Sequence, residues 1–176
     1  MATESLPPPA SPNPLDQPHL LRFKALLGEM QNESPRGMVL ISSALLDEHL
    51  GEALKARLVE HPDVAKLTDG FNAPFGTFSS RTVGALALGV ITTDEYHDLE
   101  IIRRIRNDFA HRIEIGFNEQ SIKDRCANLR LAAKDYGQVV VGADAQFSTA
   151  AVALIMRLTN RAAYVERQRL VVGDWP

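Results

Sequence analysis

The residues with the clearest chemical potential form a short run at 106–111, with the sequence RNDFAH. On a helical wheel, Arg106 shares one arc with the apolar residues Leu99, Ile102, Phe109 and Ile113. A guanidinium keeps its charge, so burying it without a partner costs several kcal/mol. Arg106 is therefore expected to be paired, to face a groove, or to lie at a contact between subunits.

Two interpretations of this arginine follow. In the structural one, which is the more common for a buried polar residue, Arg106 caps carbonyl groups or pairs with a core carboxylate, and Asp47 is the first candidate within the chain. In the functional one, Arg106 belongs to a polar site in a seam between helices. Asn107 and His111 would lie beside it, one helical turn apart.

The same helix end is strongly basic, with Arg103, Arg104 and Arg112 around Arg106. Cations near the C-terminus of a helix are favoured by the helix dipole, and this accounts for Arg103 and Arg104. The alternative is a patch that binds phosphate or nucleic acid, to which Arg103, Arg104 and Arg81 would contribute. The sequence favours the dipole explanation.

Other motifs with known chemistry are missing from the sequence. It contains neither a G-x-x-x-x-G-K-[ST] loop nor a G-x-G-x-x-G turn after a strand. The histidines lack metal-ligand spacing, and Cys126 is the only cysteine, so cysteine pairs cannot form a disulfide or a zinc site. We therefore expect neither a metal nor a cofactor.

Composition narrows the class of protein. The 176 residues include 19 basic and 22 acidic side chains, for a net charge of -3, which gives no general attraction to nucleic acid or anionic membranes. The sequence lacks a signal peptide, and its longest weakly polar run, Val83–Ile91, is too short for a bilayer. We expect a soluble, cytoplasmic protein that does not contact membranes.

Apolar periodicity predicts an all-α helical bundle. Residues 1–18 contain six prolines and are expected to form a disordered arm, and residues 19–176 a single helical domain. The predicted helices are residues 20–31, 35–60, 79–88, 93–112, 118–134 and 148–169, and the last one has Asp144 as an alternative start. Leucines at every fourth position, Leu46, Leu50, Leu54 and Leu58, form the main stripe of the second helix.

Local signals suggest where helices begin and end. Ser34-Pro35 and Thr92-x-x-Glu95 are both typical of helix starts. Ser79 and Asn118 are predicted N-caps, and Gly89 a helix end. For residues 138–141, Gln-Val-Val-Val between two glycines, a short strand and an apolar loop both remain open.

The stretch from Pro74 to His111 resembles the core of the MltR family, the mannitol operon repressor-like proteins. The matching points are Gly76, Phe78, Ser79, Arg81, Leu88-Gly89, Leu99–Ile102–Arg103 and Arg106-Asn107-x-Phe109-Ala110-His111, with Arg36 and residues 44–50 upstream. The resemblance covers roughly residues 34–130. It implies a helical fold and a role in transcriptional regulation.

The RNDFAH run also resembles the Arg-x4-His motif of HEPN domains, which are dimeric helical bundles and in many cases metal-independent ribonucleases. This resemblance implies that Arg106 stabilises charge on a phosphate, that His111 is a general acid or base, and that Asn107 supports them. Five residues along a helix correspond to about 140°. The two side chains therefore converge only if the helix breaks before His111 or if two subunits build one groove.

Two functions remain compatible with the sequence. The first is an MltR-like regulator that acts through a protein partner, because the sequence shows no helix-turn-helix with a basic recognition helix. The alternative is a HEPN-like ribonuclease that uses Arg106, Asn107 and His111 on RNA. In both cases we expect a two-fold homodimer with the Arg106 side of its helix at or near the interface.

Overall fold

The computed structural model describes residues 28, 32–70 and 72–176, and within them the chain is helical without a β-strand. The elements are α1 (Pro35–Arg57), a 3₁₀ turn (Pro62–Val64), α2 (Ala65–Thr68), α3 (Phe78–Ala87), α4 (Thr93–His111), α5 (Gln120–Ala127), α6 (Ala143–Thr159) and α7 (Arg161–Glu166). The all-α bundle predicted from the sequence is confirmed.

Helix α1 is the centre of the bundle and packs against α3, α4, α6 and α7. The predicted leucine stripe is confirmed, because Leu46, Leu50, Leu54 and Leu58 are all buried. The buried arc also includes small residues, such as Ser42 in line with this stripe and Gly51 beside it. Contact with several helices explains why α1 is apolar on more than one face.

Aromatic rings join the C-terminal half of α4 to α6. Phe109 and Phe147 are fully buried, and Phe117 from the α4–α5 connection lies between them. The ring centroids are 5.2 Å apart for Phe109 and Phe117, and 5.6 Å apart for Phe117 and Phe147. These tilted contacts favour one fixed position for the end of α4.

Two predicted helix starts are confirmed and one is shifted. Ser34 caps α1 with Pro35 in its first turn, and Thr92 and Glu95 form the capping box of α4. The prediction for Ser79 was wrong, because Thr77 caps α3 in a capping box with Ser80. Thr77 fills this role because its hydroxyl accepts the Ser80 N–H and its backbone N–H is bound in return.

Two predicted helices differ from the observed ones. The predicted helix 118–134 is only the eight residues of α5, which lacks a side-chain cap at Asn118 because Glu119 is its N-cap residue. The predicted helix 148–169 begins earlier, at Ala143, and is interrupted at Asn160, whose φ of -107° and ψ of 8° are not helical. This interruption separates α6 from α7.

The remaining predictions concern helix ends and the glycine-flanked segment. Helix α1 ends at Arg57 rather than residue 60, because Leu58 is already extended ahead of Pro62. Gly89 follows α3 with a φ of +66°, as a helix end requires. Residues 137 and 138 form a turn closed by an isolated bridge between Tyr136 and Val139, and residues 140 and 141 have no regular structure, so the loop alternative is the correct one.

The predicted arm at residues 1–18 lies outside the described residues, as does most of the predicted helix 20–31. Gly28 and Asn32 are described, and both are helical. Across the described part of the chain, we find no helix with the length and apolar character needed to cross a membrane.

Candidate functional site

The candidate site is the exposed side of the C-terminal half of α4. The capping box at Thr92 fixes the start of this helix, and a buried row that includes Leu99, Ile102, Ile105 and Phe109 holds it against the bundle. From Ile102 onward, every third or fourth residue thus faces the core, and the residues between them are exposed or half-buried.

Arg106 faces solvent in the single chain, so the structural interpretation, in which it is buried against carbonyls or a core carboxylate, was wrong. The arc that it shares with Leu99 is buried two turns earlier and is open at Arg106, while Ile113, beyond the helix end, is almost fully exposed. Among the described residues, the Arg106 guanidinium donates to Asn107 Oδ1 at 3.2 Å and forms no ion pair. In the part of the chain that the structure describes, this charge has no role in packing.

Asn107 and His111 lie on the same face of α4, one turn apart. Helix α4 continues without a break to His111, its last residue, so one of the two routes to convergence with Arg106 is closed. The side chains of Arg106 and His111 leave the same helix about 140° apart. A site that uses both on one ligand atom therefore needs a second copy of the chain.

Arg36 of α1 holds the end of α4 in place. Its guanidinium donates to the carbonyl of Phe109, and its Nη2 donates to the carbonyls of Arg112 and Ile113 at 2.7 and 2.8 Å. The last carbonyls of a helix lack partners within the helix, so a cation that binds the Phe109 carbonyl and the two carbonyls just after the helix satisfies these groups and complements the dipole. Arg36 is a positioning residue for the site.

Two of the predicted phosphate-binding residues lie on α4. Arg103 is held in an ion pair, whereas Arg104 is more exposed and makes only a longer contact. Arg103 donates to both carboxylate oxygens of Glu100, at 2.9 and 2.8 Å. This hydrogen-bonded pair holds the pKa of the Glu100 carboxyl below its usual value. Arg104 is exposed, 3.8 Å from Glu100 Oε2, and shares the face of Asn107 and His111.

The third predicted phosphate-binding residue, Arg81, lies on α3 and links three elements. Its Nε donates to the Phe75 carbonyl at 2.8 Å, and its Nη1 donates to the Asp47 carbonyl at 3.3 Å. The same Nη1 lies 3.0 Å from Asp47 Oδ1, an ion pair without a hydrogen bond. The prediction that Asp47 pairs with Arg106 was therefore wrong, because Arg81 is the ion-pair partner of this carboxylate.

Two ion pairs that brace α4 were not predicted from the sequence. Glu95 binds Arg161 of α7, and Asp108 binds Arg125 of α5. Their partners are 66 and 17 residues away, so local periodicity carries no signal for them. The only local signal for the first pair is the capping-box motif, because it places the Glu95 carboxylate at the start of α4, where it faces the bundle.

An open depression of about 560 Å³ borders the site at His111. Two carboxylates, Glu114 and Glu119, line it together with Arg112. The described residues contain no cluster of His, Cys, Asp or Glu that could hold a metal ion. Burial raises the pKa of the Cys126 thiol to about 12, so this thiol stays protonated at neutral pH and is not a nucleophile.

The site therefore combines an exposed arginine, an amide and a histidine on one helix end that the fold holds rigidly. Such a surface can bind acidic or polar groups of a macromolecule. Comparison of this chain with protein-family models, curated proteins and solved structures finds no match.

Proposed function

We propose that this chain is a regulator of the MltR type that binds a protein partner through the exposed side of α4, at Arg106, Asn107 and His111. The observation that carries the proposal is that the fold leaves these three side chains wholly or partly open to solvent while it fixes their backbone through Phe109 and Arg36. Rigid, outward-facing polar groups with no part in packing are typical of binding surfaces. The resemblance of residues 34–130 supplies the regulatory role.

Protein contact is favoured over DNA reading by the charges around the site. Glu114 and Glu119 lie at the same helix end as His111, and the whole chain carries a net charge of -3. Carboxylates repel a phosphate backbone, whereas a protein partner can match a surface of mixed charge. We therefore expect the purified protein to lack sequence-specific DNA binding in an anisotropy titration at physiological salt. Tight and specific binding by the protein alone would contradict this proposal.

The first prediction concerns the partner. Replacing Arg106 and His111 together by Ala should abolish capture of a specific protein from a lysate of the native host. The unfolding free energy should change by less than about 1 kcal/mol, because exposed substitutions usually cost within about 0.5 kcal/mol each. The measurements are affinity capture with quantitative mass spectrometry and chemical unfolding of the same preparations.

A matched control is Lys66→Ala, which removes another exposed cation outside α4. It should leave capture unchanged. If the double variant captures the same proteins as the control, or loses several kcal/mol of stability, the α4 surface is not the binding site.

A second candidate, a metal-independent ribonuclease of the HEPN type, is favoured by one observation. The Arg106 and His111 side chains are both exposed, which catalysis requires and which a purely structural arginine would not show. Because α4 runs unbroken between them, this activity depends on two copies that together form one groove. Arg106 of one copy would then stabilise charge on the phosphate, and His111 of the other would transfer a proton.

The second prediction tests this candidate by mixing variants. In EDTA the wild type should cleave RNA, and Arg106→Ala and His111→Ala should each be inactive. If each groove takes its arginine from one copy and its histidine from the other, half of the dimers in an equal mixture are mixed, and each has one intact groove. The mixture should therefore recover about one quarter of the wild-type activity.

Recovery distinguishes a composite groove from a site within one chain, since the latter would stay inactive on mixing. A wild-type protein that leaves several RNAs intact in EDTA excludes this candidate and leaves the binding role unaffected.

A further inference from the structure

Residues 170–176, called here the exit segment, carry apolar side chains that the single chain leaves uncovered. Val171, Val172 and Trp175 are 84%, 78% and 89% exposed. The segment leaves the bundle at a fixed point, where the Leu170 N–H donates to the Arg57 carbonyl at 2.9 Å. Three large apolar groups within five residues form an unusual patch for a solvated surface.

A groove of matching character runs along the outward side of α3. It is about 570 Å³ in volume, and Phe75, Val83, Ala87 and Leu88 provide its apolar lining. Its wall depends on Gly84, because a Cβ at this position would lie 2.7 Å from the Phe75 ring. Val83 is 51% exposed within it. We call this feature the α3 groove.

The exit segment and the α3 groove are connected through one residue, Arg57. Arg57, whose carbonyl binds Leu170, donates from Nε to the Leu88 carbonyl at 3.3 Å, and Leu88 lines one end of the groove. The six residues after Leu170 can extend over about 20 Å at most. The groove side of α3, from Ser79 to Leu88, is about 14 Å long. The segment is thus long enough to cover a groove of this length.

We propose that two copies of this chain form a dimer in which the exit segment of each copy lies in the α3 groove of the other. Within one chain the segment does not line the groove. Because the two features meet at Arg57, a two-fold axis near this residue would bring each segment over the partner's groove and close the assembly. The interface would contain two tryptophans, four valines and both grooves, and it would bury on the order of 1,000 Å² of surface. An interface of this size predicts a weak dimer.

This dimer uses no residue of α4, so it differs from the dimer expected at the Arg106 side of that helix and is independent of the binding surface proposed above. The two proposals can fail separately, because one is measured by partner capture and the other by self-association.

Trp175 is the only tryptophan in the chain and therefore reports on the exit segment alone. Its fluorescence emission should shift to shorter wavelength as the protein concentration rises from nanomolar to high micromolar, in parallel with dimer formation in sedimentation velocity. Solvent-like emission at all concentrations would overturn the proposal. A shifted emission in a protein that sediments as a monomer would overturn it as well, because the segment would then pack on its own chain.

Variants locate the contact. Val83→Asp should weaken self-association by about tenfold or more, because the dimer would bury an unpaired carboxylate. Since Val83 is half exposed in the single chain, this variant should fold normally, which circular dichroism checks. The matched control is Val140→Asp, which changes an exposed valine outside the groove and should leave the dimer unchanged. Equal dimerisation of both variants would show that the α3 groove is not the contact.

Discussion

Glu95→Ala should cost about 3–5 kcal/mol of unfolding free energy, one of the largest losses we expect from substituting a charged residue in this chain. The Glu95 carboxylate is buried and receives hydrogen bonds from Arg161 Nη2 at 2.7 Å, from Arg161 Nη1 at 3.2 Å and from the Thr92 N–H at 2.8 Å. Its removal leaves a largely buried guanidinium without its counter-charge and deletes half of the capping box. The melting temperature should fall by on the order of 10 °C.

The control is Asp94→Ala, one residue earlier. Asp94 pairs with Arg130, and both side chains are largely exposed, so this loss should stay below about 1 kcal/mol. Replacing Glu95 and Arg161 together by Met should cost much less than the sum of the two single changes, because no charge remains buried. Additive losses would contradict a direct interaction between Glu95 and Arg161.

The same ion pair should make stability depend on pH in the acid range. Burial raises the pKa of the Glu95 carboxyl, but hydrogen bonds from Arg161 and from the Thr92 backbone, together with the charge of Arg161, bring it below its usual value. A lowered pKa in the folded state means that the carboxylate stabilises the fold above the unfolded pKa, about 4.3. This contribution is lost as the pH falls through that value towards the folded pKa. Unfolding free energies measured below about pH 5 should therefore fall less steeply for Glu95→Gln than for the wild type.

Local signals predicted much of the fold because they depend on neighbours in sequence. The leucines of α1 repeat with the helical period, and Thr92-x-x-Glu95 satisfies its own N–H groups within one turn. The interruption at Asn160 has no strong local cause, since neither glycine nor proline lies near it. It places Arg161 where it binds Glu95, which lies 66 residues earlier in the chain. A long-range ion pair of this kind leaves no periodic pattern.

The candidate site shows the same limit. The sequence correctly places Arg106, Asn107 and His111 on one helix, and a helical wheel gives the angle of each side chain. It does not tell how wide an arc of the helix the neighbouring elements cover at each turn, because Phe109, three residues after Arg106, is fully buried. The arc of Leu99 is covered, whereas the same arc at Arg106 is open, and this difference depends on tertiary packing alone.

Asp98→Ala is expected to have a comparably large effect, a loss of about 3–5 kcal/mol. The Asp98 side chain is fully buried, and its two oxygens accept the backbone N–H groups of Arg130 and Leu131 at 2.9 and 2.8 Å. His97 Nδ1 lies 3.0 Å from Oδ1. Hydrogen bonds to a charged acceptor contribute about 1.5–3 kcal/mol each. The substitution removes the carboxylate that accepts both N–H groups.

Asp98→Asn is the matched variant, because its amide oxygen can still accept one of the two N–H groups while its NH₂ group opposes the other. Its loss of unfolding free energy should be about half as large.

Hydrogen exchange measured residue by residue separates a local role of the Asp98 carboxylate from a global one. The amides of Arg130 and Leu131 should lose protection in both variants, and those of α1 should lose it only to the extent that global stability falls. Unchanged protection at these two amides would show that the carboxylate does not hold this segment. Residues 128–134 would then owe their position to the burial of Leu129 and Ala132. The predicted effect requires instead that the Asp98 carboxylate positions the backbone of residues 128–134, and that this position allows Leu129 and Ala132 to reach the core.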